Sequence, residues 1–170
     1  MADKSIYQNA PEYCHYYFDL TSSNDLIAEL KKSAELTKEL FAQISTEKEN
    51  FAYRPGKWTT KEILRHLIDC ERIYCYRAFR FSRFDTTELP GFDEDKYIEN
   101  IDSNALQLSE LTIEFEIVRK SSIALYSSMT NEMLDFAGMA NGAHFTARAI
   151  GFLTAGHNLH HLNFIQKNYL

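Results

Sequence analysis

Along four stretches of the chain apolar residues return at close to the helical period, and the polar stretches between them carry turn residues. In residues 22–44 the apolar set is Leu26, Ile27, Leu30, Ala34, Leu36, Leu40, Phe41 and Ile44, and Ser22 stands three before Asp25 as a capping-box-like start. Residues 46–57 are polar and end in Tyr53-Arg54-Pro55-Gly56, a turn that cannot continue a helix. The next start is explicit: Thr59 and Glu62 form a capping box, flanked by Trp58 and Ile63 at the positions of a hydrophobic staple. A second helix over 60–84 would be about 37 Å long. His66 falls in its second turn, beside the stripe of Ile63, Leu67, Cys70, Ile73 and Tyr74. Residues 85–102 carry Leu89-Pro90-Gly91 and little periodicity, which predicts a long crossover loop. A third helix is predicted over 103–129, then a connection over 130–145 marked by Gly138, Asn141 and Gly142. Thr146 is the predicted N-cap of a fourth, amphipathic helix running to Tyr169.

Residues 1–21 hold Pro11 and the aromatic cluster Tyr13, Tyr16, Tyr17 and Phe18 without a regular period, which predicts an arm packed on the body. With no strand-like alternation and no repeat, the expected architecture is an all-α four-helix bundle with a long crossover loop and an N-terminal aromatic arm, a single domain over residues 1–170.

Charge and cysteine content narrow the function classes. A net charge of −6 supplies no basic field for phosphate backbones, so nucleic-acid binding is not expected. Three cysteines fit neither a disulfide framework nor a CxxC knuckle, and they read as reduced thiols in a cytoplasm. The N-terminus lacks a basic head and an apolar core, and no apolar run approaches spanning length, so neither export nor membrane insertion is expected. The acidic run Asp93-Glu94-Asp95 lacks the spaced oxygen ligands of a calcium loop and reads as solvated surface.

The strongest chemical signal is Gly156-His157-Asn158-Leu159-His160-His161-Leu162. On a helix His157 and His161, four apart, lie one above the other and can aim at one point, which is metal-ligand spacing. Two histidines rarely hold a divalent ion unaided, and His66 is the strongest candidate for a third ligand from another helix. Cys70, one turn after His66, could replace one histidine, although a buried cysteine more often packs. A buried helical histidine, too, often only donates a hydrogen bond and packs. His15 beside Cys14 reads as structural, since adjacent side chains diverge. Gly151 and Gly156 in the fourth helix each cost about 1 kcal/mol in propensity, offset by close packing or, as a second reading, by room for a bound ligand beside His157. Arg65, Arg72, Arg77, Arg80 and Arg83 could receive an anion, but Glu62, Arg65, Asp69 and Arg72 are also spaced for a salt-bridge ladder within the helix. No serine elbow, P-loop or dinucleotide fingerprint is present.

The string from Pro55-Gly56-Lys57-Trp58-Thr59-Thr60-Lys61-Glu62 through Arg65-His66-Leu67-Ile68-Asp69-Cys70-Glu71-Arg72 resembles the second helix of the DinB/YfiT-like family of metalloenzymes. Leu89-Pro90-Gly91-Phe92-Asp93 and the histidine block ending at Asn163 are similar to two further blocks of that family, in the same order. The resemblance implies a four-helix bundle with a mononuclear site whose ligands are His66, His157 and His161, with His160 outside it, and a divalent transition metal, zinc or nickel, as cofactor. It names no catalytic side chain. It also implies a small-molecule thiol or electrophile as partner, with metal-dependent thiol S-transfer as the leading expectation. A metal-dependent hydrolase and a non-catalytic metal-binding or structural bundle are the alternatives. Self-association to a homodimer is expected from the aromatic arm and from relatives of the family.

Overall fold

The computed structural model describes residues 5–102 and 105–170; the first four residues of the predicted arm and the first two of the predicted third helix lie outside them. Four long helices make the bundle: α3 (Leu26–Phe41), α4 (Thr60–Ser82), α6 (Leu108–Ser127) and α8 (Ala147–Asn168). The short α1 (Ser5–Gln8) and α2 (His15–Asp19) precede them, and between them lie α5 (Glu94–Glu99), α7 (Asn131–Asp135) and the strands β1 (Ala137–Ala140) and β2 (Ala143–Thr146). The principal packing contacts join α8 to α3 and α4, and α6 to the same two helices. Among the described residues no helix is long and apolar enough to cross a membrane.

Local sequence accounts for most boundaries. The Thr59–Glu62 capping box forms, with the Glu62 amide donating to Thr59 Oγ1 at 3.3 Å and the Thr59 amide donating to Glu62 Oε2 at 2.7 Å. Thr146 caps α8 through the Ala149 amide at 3.1 Å. The start of α3 differs from expectation: Asp25 is its cap, accepting from the Ala28 amide, while Ser22 bonds Glu29. An aspartate one residue before the helix caps it as well as a serine would, and frees Ser22 for the longer contact.

Two predicted loops contain structure. Asp93 caps α5, its Oδ1 accepting from the Lys96 amide at 3.1 Å, so the acidic run occupies the cap and first turn of a helix, where negative charge is favourable. Asn141 and Gly142, at φ 52° and 71°, form the two-residue turn of an antiparallel hairpin pairing Ala137 with Thr146 and Ala140 with Ala143. An Asn-Gly pair is a strong hairpin signal because both residues tolerate positive φ. The crossover joins this hairpin: Leu89 donates to the Met139 carbonyl and accepts from the Asn141 amide, both at 2.9 Å. The crossover is thereby tied to the hairpin at Leu89.

The fourth helix is not amphipathic. Every residue from Ala149 to Leu159 is buried, because α8 is covered by α3, α4 and the N-terminal arm. The arm contributes Ile6, Cys14 and Phe18 to the core, and its backbone passes so close to α8 that a Cβ on Gly156 would collide with the Tyr17 carbonyl. Close packing is therefore what offsets the glycine, and the reading of open space beside His157 at this position gives way.

The core falls into two apolar clusters. One gathers Phe18, Leu30, Phe81, Ile150 and Phe152; the other gathers Phe41, Leu64, Ile68, Phe115 and Ile165. At the level between them on each long helix sits a polar network centred on Arg119, which is 2% exposed. Arg119 donates to both oxygens of Glu71 at 2.7 and 2.9 Å, to the Leu30 carbonyl and Ser33 Oγ at 2.7 Å, and to Asn158 Oδ1 at 3.0 Å. Ser122 and Thr37 complete it on Glu71 and Asn158. One guanidinium thus ties together all four helices of the bundle.

Candidate metal centre

His66 in the second turn of α4 and His157 and His161 on successive turns of α8 turn their imidazoles toward one point. His157 Nε2 lies 3.1 Å from His66 Nε2 and 3.1 Å from His161 Nε2, and one ring nitrogen from each of the three lies within 4.8 Å of the others. Three neutral imidazoles cannot satisfy one another in this arrangement, since each Nε2 carries either one proton or one lone pair. A divalent ion bound at about 2.0–2.1 Å from each nitrogen in tetrahedral geometry would space them about 3.3 Å apart, close to the 3.1 Å that separates His157 Nε2 from each of its two partners. The donor set therefore fits a metal ion.

Burial keeps these groups neutral. It pushes His66 down to about 4, helped by His160, and His161 down to about 3, helped by His66 and His160. His157 is held well below its ordinary value by burial and by the three neighbouring histidines. The unfolded chain, with histidines near 6.5, therefore binds more protons than the folded one at mildly acidic pH. Stability from these groups is complete above about pH 6.5 and is lost as pH falls toward 4 and below. The melting temperature of chelated protein is expected to be level at neutral pH and to fall across this window, with a shallower fall in His66→Ala; a profile identical in the variant would contradict it.

The surroundings sort the other residues singled out in the sequence. His160 lies outside the convergent group: its Nδ1 pairs with Tyr16 Oη at 3.1 Å and its ring packs edge-on to Tyr16 and Tyr17. Cys70 Sγ sits 3.6 Å from His66 Nδ1 and 3.8 Å from its Nε2, and burial pushes its thiol up to about 12. Cys14 and Cys75 are likewise pushed up, to about 12 and about 11, so no thiolate forms at neutral pH on these three. His15 donates to the Tyr7 carbonyl at 2.9 Å and packs on Tyr7 and Phe18, a structural role.

Part of the predicted arginine ladder is interhelical: Arg65 and Arg72 converge on Glu114 of α6 at 2.8 and 2.7 Å, while Arg72–Asp69 runs along α4 at 3.4 Å. Arg80 pairs with Asp85. Arg77 alone of the five reaches the cavity beside the histidines.

That cavity measures about 480 Å³, within the range of small-molecule sites, and all three converging histidines line it. Trp58 covers His66 with ring centroids 4.7 Å apart, and Tyr17 and Tyr74 flank His157 at 5.7 and 6.0 Å. Phe92 and Glu94 enter from the crossover and Asn141 from the hairpin turn. Sequence reasoning missed these wall residues. Only the Asn141-Gly142 pair offered a signal, since a recognised hairpin would have suggested that the crossover was tethered.

The family model for the DinB superfamily matches residues 29–165, which takes in nearly all of the bundle and all three converging histidines. The chain belongs to the DinB superfamily. Two relatives from Oceanobacillus iheyensis, named "Putative metal-dependent hydrolase OB0413" and "Putative metal-dependent hydrolase OB0782", are 27% and 26% identical over 117 and 140 residues. These matches cover 67% and 82% of this chain, and 66% and 81% of the relatives' own lengths. Among solved structures, YfiT from Bacillus subtilis, described as a probable metal-dependent hydrolase with an unusual four-helix bundle topology, is similar with a TM-score of 0.75 at 20% identity, over 86% of this chain and 87% of that one. The four-helix arrangement expected from the sequence is thus shared with that structure.

Proposed function

We propose that this protein is a metal-dependent hydrolase acting on a small molecule, with its ion held by His66, His157 and His161. The observation that carries the reading is the convergence of three neutral Nε2 donors, two of them buried and the third half-buried, on the wall of a cavity large enough for a substrate. The relatives' names support hydrolysis in particular. When bound, a divalent ion there would polarise a substrate carbonyl and acidify water toward neutral pH. Zinc and nickel both suit three imidazole donors, and with three protein ligands a position stays open for substrate.

The chain's own residues supply the rest. Burial holds the imidazoles unprotonated and ready to donate lone pairs. Tyr17 and Tyr74, whose hydroxyls are raised above their ordinary value by burial, stay protonated and can donate hydrogen bonds to a polar substrate. Glu94 places a carboxylate on the wall, the side chain we assign to proton acceptance. Trp58 and Phe92 exclude water from the apolar sides.

Thiol S-transfer, the leading expectation from the sequence, would use the same ion to hold an exogenous thiol, and nothing at the site singles it out. The test is turnover of a panel of activated esters and amides by metal-loaded and chelated protein, beside conjugation of a small thiol to a model electrophile. We expect ester or amide hydrolysis that disappears on chelation and in a folded His66→Ala. Conjugation without hydrolysis would replace this reading with thiol transfer, and neither activity in metal-loaded protein would leave a non-catalytic metal-binding bundle.

A further inference from the structure

The cavity extends from the three imidazoles along one stripe of α4, past Cys70 and Tyr74 to Arg77. About 11 residues complete three helical turns, so His66 and Arg77 share a face of α4 some 16 Å apart along its axis. Arg77 is 7% exposed. Its Nη2 donates to the Pro90 carbonyl at 2.8 Å and its guanidinium lies over the Phe92 ring at 5.5 Å. Among the described residues no carboxylate stands within ion-pair distance of it, whereas Arg65, Arg72 and Arg80 on the same helix all have one.

A buried cation without a counter-ion is costly, and a carbonyl and a ring face offset only part of that cost. Desolvation accordingly lowers the Arg77 pKa from its ordinary value. The Pro90 bond uses one of five guanidinium donors, and the others have no protein partner among the described residues. The cavity they border is the place from which an anion can reach them.

The charge on the walls defines that anion. With the histidines neutral, Arg77 is the cation among the lining residues, and the carboxylate of Glu94 is exposed at the rim. One guanidinium matches one singly charged carboxylate in a two-bond fork, whereas a dianionic phosphate would call for further positive charge.

We propose that the substrate carries a carboxylate that seats on Arg77, three helical turns from the histidine cluster, so that Arg77 sets substrate class and places the reacting bond at the ion. This rests on the metal-dependent reading above. A carboxylate held this far from the reacting bond orients the substrate without taking part in the chemistry.

Trp58, the single tryptophan and part of the cavity wall, reports occupancy through its fluorescence. Zinc-loaded protein is titrated with acetate, with the dicarboxylates glutarate, adipate and suberate, with inorganic phosphate, and with acetohydroxamate, a chelator added as its uncharged acid that lacks a carboxylate and needs only the ion. At least one dicarboxylate is expected to bind about tenfold or more tighter than acetate, the scale of a lost charged hydrogen bond. That advantage should vanish in Arg77→Met and survive in part in Arg77→Lys, with zinc content and acetohydroxamate affinity unchanged. Arg77→Met should also melt no lower than wild type, since it removes a buried unpaired charge.

A dicarboxylate advantage that persists in Arg77→Met overturns the proposal, as does a variant that loses stability and acetohydroxamate binding together. Phosphate binding tighter than every dicarboxylate overturns the carboxylate assignment. Acetohydroxamate binding with no dicarboxylate advantage sinks the Arg77 site and leaves the metal reading standing. If the chain takes up no zinc, the metal reading fails and the dicarboxylate titration on metal-free protein decides for Arg77 alone: an Arg77-dependent signal upholds the anion site, and its absence overturns it.

Discussion

Alanine at His157 is expected to empty the centre. Its Nε2 is the middle of the three, 3.1 Å from each partner, and its removal leaves His66 and His161 as a pair. Two imidazoles hold a divalent ion weakly, so affinity should drop by more than the roughly 10–100-fold typical of losing an outer hydrogen-bond partner of a ligand. His66→Ala and His161→Ala should behave alike. His160→Ala should keep its metal, because that ring is committed to Tyr16. Elemental analysis of untagged protein reconstituted with zinc or nickel reads the result as ions per chain, expected to be about one in the wild type and in His160→Ala. Metal retained in His161→Ala and lost in His160→Ala would show the ligand set to be wrong.

Arg119→Met should cause the largest loss of stability of any single change. It strands Glu71 in the core without its cation and leaves the Leu30 carbonyl, Ser33 and Asn158 each short of a donor. Breaking one side of such a buried pair costs about 3–5 kcal/mol, whereas replacing both partners with apolar residues of similar volume is often close to neutral. For a chain of this length the single change corresponds to a drop in melting temperature of roughly 6–20 °C. Arg119→Met combined with Glu71→Leu should recover much of it. Urea unfolding of the single and double variants measures both. A single variant as stable as the wild type would mean that the network contributes no net stability. Asn158 belongs to this network and directly follows His157, so the single variant should also weaken metal binding, although Arg119 hydrogen-bonds none of the three histidines.

The sequence by itself determined the four long helices, the capping box at Thr59, the cap at Thr146 and the approach of His157 to His161, because each depends on residues within about one helical turn. It also singled out His66 as the partner from another helix, through residue type and the family block around it. Whether His66 reaches the pair was decided only by the crossing of α4 and α8, which depends on packing across the whole bundle. The same holds for Arg119, which in the sequence is one charge among several on a long helix: its role exists only where Glu71 and Asn158 arrive from two other helices. Arg77 could not be told from the other four arginines until Glu114 had claimed Arg65 and Arg72, Asp85 had claimed Arg80, and Arg83 had turned to Ser82, leaving Arg77 facing the cavity. Spacing along the chain fixes which side chains share a face, because helix geometry is local. Which faces meet, and which charge is left without a partner between them, is settled by contacts between residues far apart in sequence.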